Sequence, residues 1–289
     1  MVIAGRTWDR LDPVSRDVLT RSAREPDRTT NFGPGSTQLY AVWSPRGAGT
    51  AGEVVTSPVP AGGPPSGDPP HREATVVLVH GGFWRAQWDR THLYPLAAGL
   101  ADAGYTVALP EYRRTGMPGG TWPGPGADLA AALAAIRTDE SLPGPVVLVG
   151  HSAGGHLVVW LLHRREAVGV LGAVSLAGCL DLRMVGRLQL DDRAADDLMG
   201  SSDWLQQPYL GADPVDLGPP PAPVVALHGT ADEQVPQAVT RSWFDQCGTP
   251  GRDRLHLLPG CDHFDLIDPQ SPAWPQLLAA VAHLTEAAP

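Results

Sequence analysis

The sequence predicts an α/β protein: a mostly parallel central sheet flanked by helices, with a small helical cap. Three observations lead there. Apolar strand candidates alternate with helical segments along most of the chain. Several of these strands are continuous Val, Leu and Ala runs, the pattern of parallel strands buried on both faces. The chain has 289 residues, 43% of them hydrophobic, which suits one large α/β core.

In chain order, residues 37–43 (TQLYAVW) alternate and read as a strand. Further strands are expected at 75–80 (TVVLVH), 105–110 (YTVALP), 146–150 (VVLVG), 171–177, 224–228 (VVALH) and 254–258. Helices are expected at 92–103, 127–137, 153–165, 237–247 and 274–286. Such alternation gives a doubly wound sheet with right-handed crossovers, and ligands then bind beyond the carboxyl ends of the strands. Residues 1–36 are expected to form an N-terminal segment and 37–289 the domain.

Glycine and proline number 33 and 30, about 22% of the chain against a usual share of roughly 12%. The excess has a focus. Residues 46–72 hold six glycines and six prolines but no aromatic, leucine or isoleucine. That segment is expected to be an exposed, flexible loop, because it cannot bury enough apolar surface to offset its ordering entropy. The connection 179–222 is also long, with a helical pattern at 191–199 and a Pro-rich exit, and reads as a cap. Its eight aspartates and three arginines give a net charge of −5, half of the −10 of the whole chain. The chain has no lysine, and no basic cluster is larger than Arg113-Arg114 or Arg164-Arg165, which argues against a nucleic-acid partner.

Met1 to Asp9 lacks the pattern of a signal peptide, and no run reaches 18 apolar residues, so neither export nor a membrane partner is expected. Cys179, Cys247 and Cys261 form an odd, sparse set without CxxC spacing. That set fits a reducing cytoplasm rather than a disulfide framework or a zinc site, so neither a metal nor a cofactor is expected. A homodimer is left open.

The chemistry concentrates behind strand ends. Gly150-His151-Ser152-Ala153-Gly154 matches G-x-S-x-G between a strand and a helix. Such a sharp turn strains the serine backbone and lifts its hydroxyl above the sheet. Serine needs a base, and the base an orienting acid. Asp232, in Gly229-Thr230-Ala231-Asp232-Glu233, is the acid candidate, with Glu233 the competitor; His263, in Gly260-Cys261-Asp262-His263, is the base candidate. His228 is read as orienting its loop. Oxyanion donors are expected at the amides of Ala153, Gly82 and Phe83, with His80 holding the His80-Gly81-Gly82-Phe83-Trp84 loop. Trp84, Trp88 and Trp122 are candidate pocket residues. The acidic cap would repel anionic acyl groups unless Arg85, Arg113 or Arg183 faces inward.

The pieces HGGFW (80–84), GHSAGGH (150–156), HGTADEQVP (228–236) and GCDHFDLID (260–268) stand in an order that resembles the α/β-hydrolases of the esterase/arylformamidase group, which includes kynurenine formamidase and small acetyl or feruloyl esterases. The resemblance covers roughly 31–287. It implies the α/β-hydrolase fold and an acyl-enzyme mechanism on a small ester, without cofactor or metal. Phe83 replaces the third glycine of the lipase-like HGGG, and HGG with an aromatic residue and Trp is more typical of the formamidase side. That departure points toward small aromatic amides or esters rather than long-chain lipids. Acyl transfer in a biosynthetic pathway and a non-catalytic binding scaffold are the alternatives from other classes.

Overall fold

The computed structural model describes residues 13–46, 72–203 and 207–286. Apart from its two end residues, the Gly/Pro-rich loop expected over 46–72 lies outside the described residues. An eight-stranded sheet forms the centre, in the order β1-β2-β4-β3-β5-β6-β7-β8. The strands are β1 (Arg28–Asn31), β2 (Leu39–Trp43), β3 (Thr75–Val79), β4 (Thr106–Pro110), β5 (Val146–His151), β6 (Ala173–Leu176), β7 (Val224–Gly229) and β8 (Arg254–Leu258). β1, β2 and β4 pair antiparallel; every other pairing is parallel.

The continuous apolar runs follow from this position. Successive side chains of a strand point to opposite faces, so a central strand needs apolar residues at every position. Val77, Val79 and Leu148 pack on one face of the sheet, with α3 (Gly124–Thr138) and α4 (Ala153–Leu161). Val76, Leu78 and Val149 pack on the other, with α2 (Tyr94–Asp102), α10 (Trp274–Glu286) and Val18 of α1 (Pro13–Thr20). Full burial of each such side chain contributes roughly 1.5–3 kcal/mol. At the edge, β8 alternates between exposed and half-buried residues up to its buried last residue.

Two expectations change. β1 lies ahead of residue 37 and pairs with β2 through Arg28↔Val42 and Asn31↔Leu39, so the sheet begins inside the segment read as N-terminal. The cap is more helical than one pattern at 191–199. It holds α5 (Leu182–Arg187), α6 (Leu190–Met199), α7 (Gln207–Ala212) and α8 (Pro214–Leu217). Its aspartates are largely local bonding groups. Asp181 caps α5 by accepting from the Met184 amide at 2.7 Å. Asp213 caps α8 by accepting from the Val215 amide at 3.1 Å, and it also takes the amides of Leu182 and Arg183. One buried carboxylate thereby ties the entrance of the cap to its exit. A short helix without such an acceptor leaves amides unsatisfied. α9 (Gln237–Cys247) completes the layer beside β7.

Candidate active site

Ser152 sits between β5 and α4 with φ 56° and ψ −117°, a conformation costly for a residue with a side chain. Close packing imposes the turn. A Cβ on Gly150 would lie 2.2 Å from the Gly154 carbonyl oxygen, and one on Gly154 would lie 2.2 Å from that of Val79. The Ser152 amide donates to Leu176 at 2.8 Å, and its carbonyl accepts from Cys179 and His156, both at 3.2 Å. The strained serine is therefore held from both sides.

Asp232 and His263 come together as expected, from the loops after β7 and β8. The His263 Nδ1–H donates to Asp232 Oδ2 at 2.7 Å, and both side chains are nearly closed to solvent. Asp232 Oδ1 takes the amides of Gln234 and Val235 at 2.9 and 2.8 Å. Burial alone would raise the Asp232 carboxyl, but His263 and His228 outweigh it and hold it well below the usual carboxylate range. Glu233, the competitor, points to solvent. His228 bonds Thr240 and the Val235 carbonyl, both at 2.8 Å, and so orients its loop. His151, the neighbour of Ser152, donates through Nε2 to the His263 carbonyl at 3.0 Å, with the rings 4.5 Å apart. The elbow and the histidine loop are thus joined directly.

Gly82, Phe83 and Trp84 have φ values of 102°, 48° and 55°, a tight left-handed turn. Only glycine adopts such angles without strain. A Cβ on Gly81 would lie 2.9 Å from Ser152 Cβ, so this loop rests on the elbow. Among the described residues none accepts from the amides of Gly82, Phe83 or Ala153.

Of the three tryptophans, only Trp88 joins this group. It lines a narrow pocket with Gly82, His263, His92, His151 and Leu19 of α1. Trp84 is fully buried in the core, with its ring edge-on to His156 at 5.3 Å. Trp122 packs edge-on to Trp160 at 4.9 Å, and its amide donates to Leu198 of the cap at 2.7 Å. Arg113 forks onto Asp128 at 2.8 Å with both Nε and Nη2, and Arg183 pairs with Asp216. Arg85 is held by Asp191 and Asp197. Cys179 is buried beside Ser152, while Cys247 and Cys261 are buried elsewhere. Among the described residues no group of three or more His, Cys, Asp or Glu could hold a metal ion, and no helix is long and apolar enough to cross a membrane.

Sequence reasoning missed the support beneath the 80–84 loop. His80 Nε2 bonds Glu111 Oε1 at 2.8 Å, and its ring stacks on Tyr112 at 4.3 Å. Tyr112 donates its hydroxyl to the His80 carbonyl at 2.9 Å. Glu111 also pairs with buried Arg114 at 3.1 Å, and Arg114 donates to the Trp88 carbonyl. The available signal was position: Glu111-Tyr112-Arg113-Arg114 follows β4 directly. Burial would raise the Glu111 carboxyl, but His80 and Arg114 reverse that and hold it at about 2. Glu111→Gln is expected to destabilise the fold by about 3 kcal/mol, because it leaves a buried guanidinium without its charge partner. The folded value lies below that of the unfolded chain. The carboxylate's contribution is therefore complete above about pH 4.5 and lost as pH falls toward 2. Urea melts at pH 7 and pH 3 should show the variant's deficit shrinking in acid; a deficit that does not change with pH would remove the ionic explanation.

Comparison with known proteins agrees with this fold. A family model described as alpha/beta hydrolase fold matches residues 76–247. The chain is 25% identical to YfhR of Escherichia coli over 197 residues, covering 66% of this chain and 63% of YfhR. It is 30% identical over 147 residues to an acetyl-hydrolase of Streptomyces hygroscopicus, covering 48% of each. Esterase B of Lactobacillus rhamnosis superposes with a TM-score of 0.69 at 18% identity, covering 97% of this chain and 92% of that one.

Proposed function

The chain belongs to the family with the alpha/beta hydrolase fold, and on that premise we propose that it is a serine hydrolase of small, uncharged carboxylic esters. The observation that carries the reading is the His263–Asp232 bond of 2.7 Å, joined through His151 to the strained Ser152. In this mechanism Ser152 attacks the carbonyl carbon while His263 takes its proton. Asp232 holds the tautomer and stabilises the imidazolium. The amides of Gly82, Phe83 and Ala153, which have no acceptor among the described residues, receive the oxyanion. His263 then protonates the leaving alcohol, water attacks the acyl-enzyme, and Ser152 is regenerated.

Two features support a small, neutral substrate. The pocket that Gly82, Trp88, His92, His151, His263 and Phe264 line is narrow and has no arginine in its lining. The three arginines that could receive an anionic group are each engaged by a carboxylate. The acetyl-hydrolase and esterase relatives point the same way. Arylformamidase is the second reading, favoured by Phe83 and Trp84 after the glycine pair. Its substrate N-formylkynurenine carries a carboxylate, and Arg85, Arg113 and Arg183 are each already paired with one.

Assayed side by side, p-nitrophenyl acetate should be turned over faster than N-formylkynurenine, and the reverse ranking would install the formamidase reading. A fluorophosphonate probe should label Ser152 in the folded protein; failure to label it would overturn the nucleophile. Condensed product formed with added alcohol in place of hydrolysis would indicate an acyltransferase.

A further inference from the structure

The helix α1 stands far ahead of the strand ends that carry the chemistry, yet it reaches them. Leu19 lines the same pocket as Gly82, Trp88 and His263. Its neighbour Val18 is fully buried in the core on that face of the sheet. Successive helical residues project about 100° apart, so one helix can bury Val18 in the core and present Leu19 at its edge. Leu19 packs against that core while bordering the pocket.

The helix is fixed to the segment that carries the base. Arg21, directly after α1, forks onto Asp268, with Nη1 donating to Oδ1 at 2.5 Å and Nη2 to Oδ2 at 2.9 Å. Asp268 ends the GCDHFDLID piece that contains His263. The same guanidinium donates from Nε and Nη2 to Asp17 Oδ2 at 3.0 and 2.8 Å, so it bridges the helix and the histidine segment. The side chains of Arg21 and Asp268 are only 21% and 15% exposed, where a bidentate pair is stronger than on an open surface. Just beyond, the Trp43 Nε1–H donates to the Arg24 carbonyl at 2.9 Å and ties the chain to β2.

We propose that Leu19 is a specificity-determining residue: it walls the pocket beside His263 and sets the length of the ester chain that enters, with the Arg21–Asp268 pair holding the wall in place. The inference rests on the ester-hydrolase reading and deepens it. Leu19, Trp88 and Phe264 give the lining an apolar character that suits an alkyl chain. His92 and His151 add no charge at neutral pH, because burial pushes both imidazoles well down. The wall is also this chain's own, since α1 lies outside residues 76–247 that the family model matches.

The test is a length profile. kcat/KM is measured along two series: p-nitrophenyl acetate, butyrate and hexanoate lengthen the acyl half, and ethyl, butyl and hexyl acetate lengthen the alcohol half. Leu19→Ala should raise the long-to-short ratio by about tenfold in one series, the lower end of what a methylene is worth in an apolar pocket. The series that responds identifies the half that enters. Leu19→Trp should lower the same ratio. A general loosening of the fold would reduce all substrates alike and leave the ratios unmoved. Should Leu19→Ala fail to fold, Asp268→Asn, which weakens the clasp and keeps Leu19, should raise the ratio by a smaller factor, and no rise would then count against the wall. Ratios unchanged in both series, or moved the same way by the alanine and tryptophan variants, overturn the proposal. If p-nitrophenyl acetate turnover is intact and depends on Ser152, such a result sinks this inference alone. If wild-type protein does not turn over p-nitrophenyl acetate through Ser152, the hydrolase reading falls, and this one with it.

Discussion

Ser152→Ala should lower kcat on p-nitrophenyl acetate by about five to six orders of magnitude. The hydroxyl is the only protein group of the proposed mechanism that forms a bond to carbon, so its loss removes the covalent route entirely. What remains is binding and oxyanion stabilisation by Gly82, Phe83 and Ala153, which act on a directly attacking water. The fold should survive, because the elbow is set by backbone packing at Gly150 and Gly154 and by the bond from the Ser152 amide to Leu176. Alanine keeps the strain of φ 56°, whereas Ser152→Gly should relieve it and raise stability by about 1 kcal/mol. Both variants should lose turnover, while only the glycine variant should melt at a higher temperature. Near-wild-type turnover by the alanine variant would exclude Ser152 as nucleophile. A glycine variant no more stable than alanine would exclude stored strain at the elbow.

What the sequence made legible follows from the kind of constraint acting on each residue. β3, β5 and β7 were visible because burial on both faces demands unbroken apolar runs. β1 was invisible: Arg28-Thr29-Thr30-Asn31 carries no buried face, and only its pairing with β2 makes it a strand. Of the cap helices only α6, the longest, showed its pattern, at 191–199; the others are 4 to 6 residues long, too short for a helical period to emerge, and only the Asp181 and Asp213 caps could have marked two of them. Ser152, Asp232 and His263 were legible because each follows a strand end, where turn geometry and chemistry impose residue types together. Glu111 and Arg114 also follow a strand end, but their role was hidden because the loop they support, 80–84, lies distant from them in sequence. Trp84 was read as a pocket residue because spacing cannot say which way a loop aromatic points; the left-handed turn at Phe83 and Trp84 sends its ring into the core. The net charge of the cap misled in a similar way. Counted along the chain it looks like a repulsive field, but in space Asp191, Asp197 and Asp216 face arginines, and Asp181 and Asp213 face amides.

Asp232→Asn should lower kcat by roughly 10^4-fold, with KM changed only a few-fold. The carboxylate has acceptors on two sides. Oδ2 takes the His263 Nδ1–H, and His228 Nε2 lies 3.3 Å from the same oxygen. Oδ1 takes the two loop amides of Gln234 and Val235. An asparagine has one acceptor oxygen and one donor amide, so it cannot serve both sides. If its oxygen keeps the loop amides, its NH2 faces His263 Nδ1 and drives the imidazole proton to Nε2. The base then no longer has a lone pair to receive the serine proton. If the oxygen turns to His263, the NH2 opposes two backbone N–H groups and the 232–235 turn loosens. Stability separates the outcomes: the first leaves the fold intact, whereas the second leaves two amides unsatisfied, at about 1–3 kcal/mol each. The first should prevail, because rotating a neutral imidazole proton is cheaper than breaking a turn anchored by His228. The carboxyl of Asp232 sits below the usual carboxylate range, so it is ionised throughout the neutral region, and its protonation cannot account for any loss of rate between pH 8 and pH 5. An Asp232→Asn enzyme that kept more than about a tenth of wild-type kcat with an unchanged melting point would show that the orienting charge is not needed and that the acid belongs elsewhere.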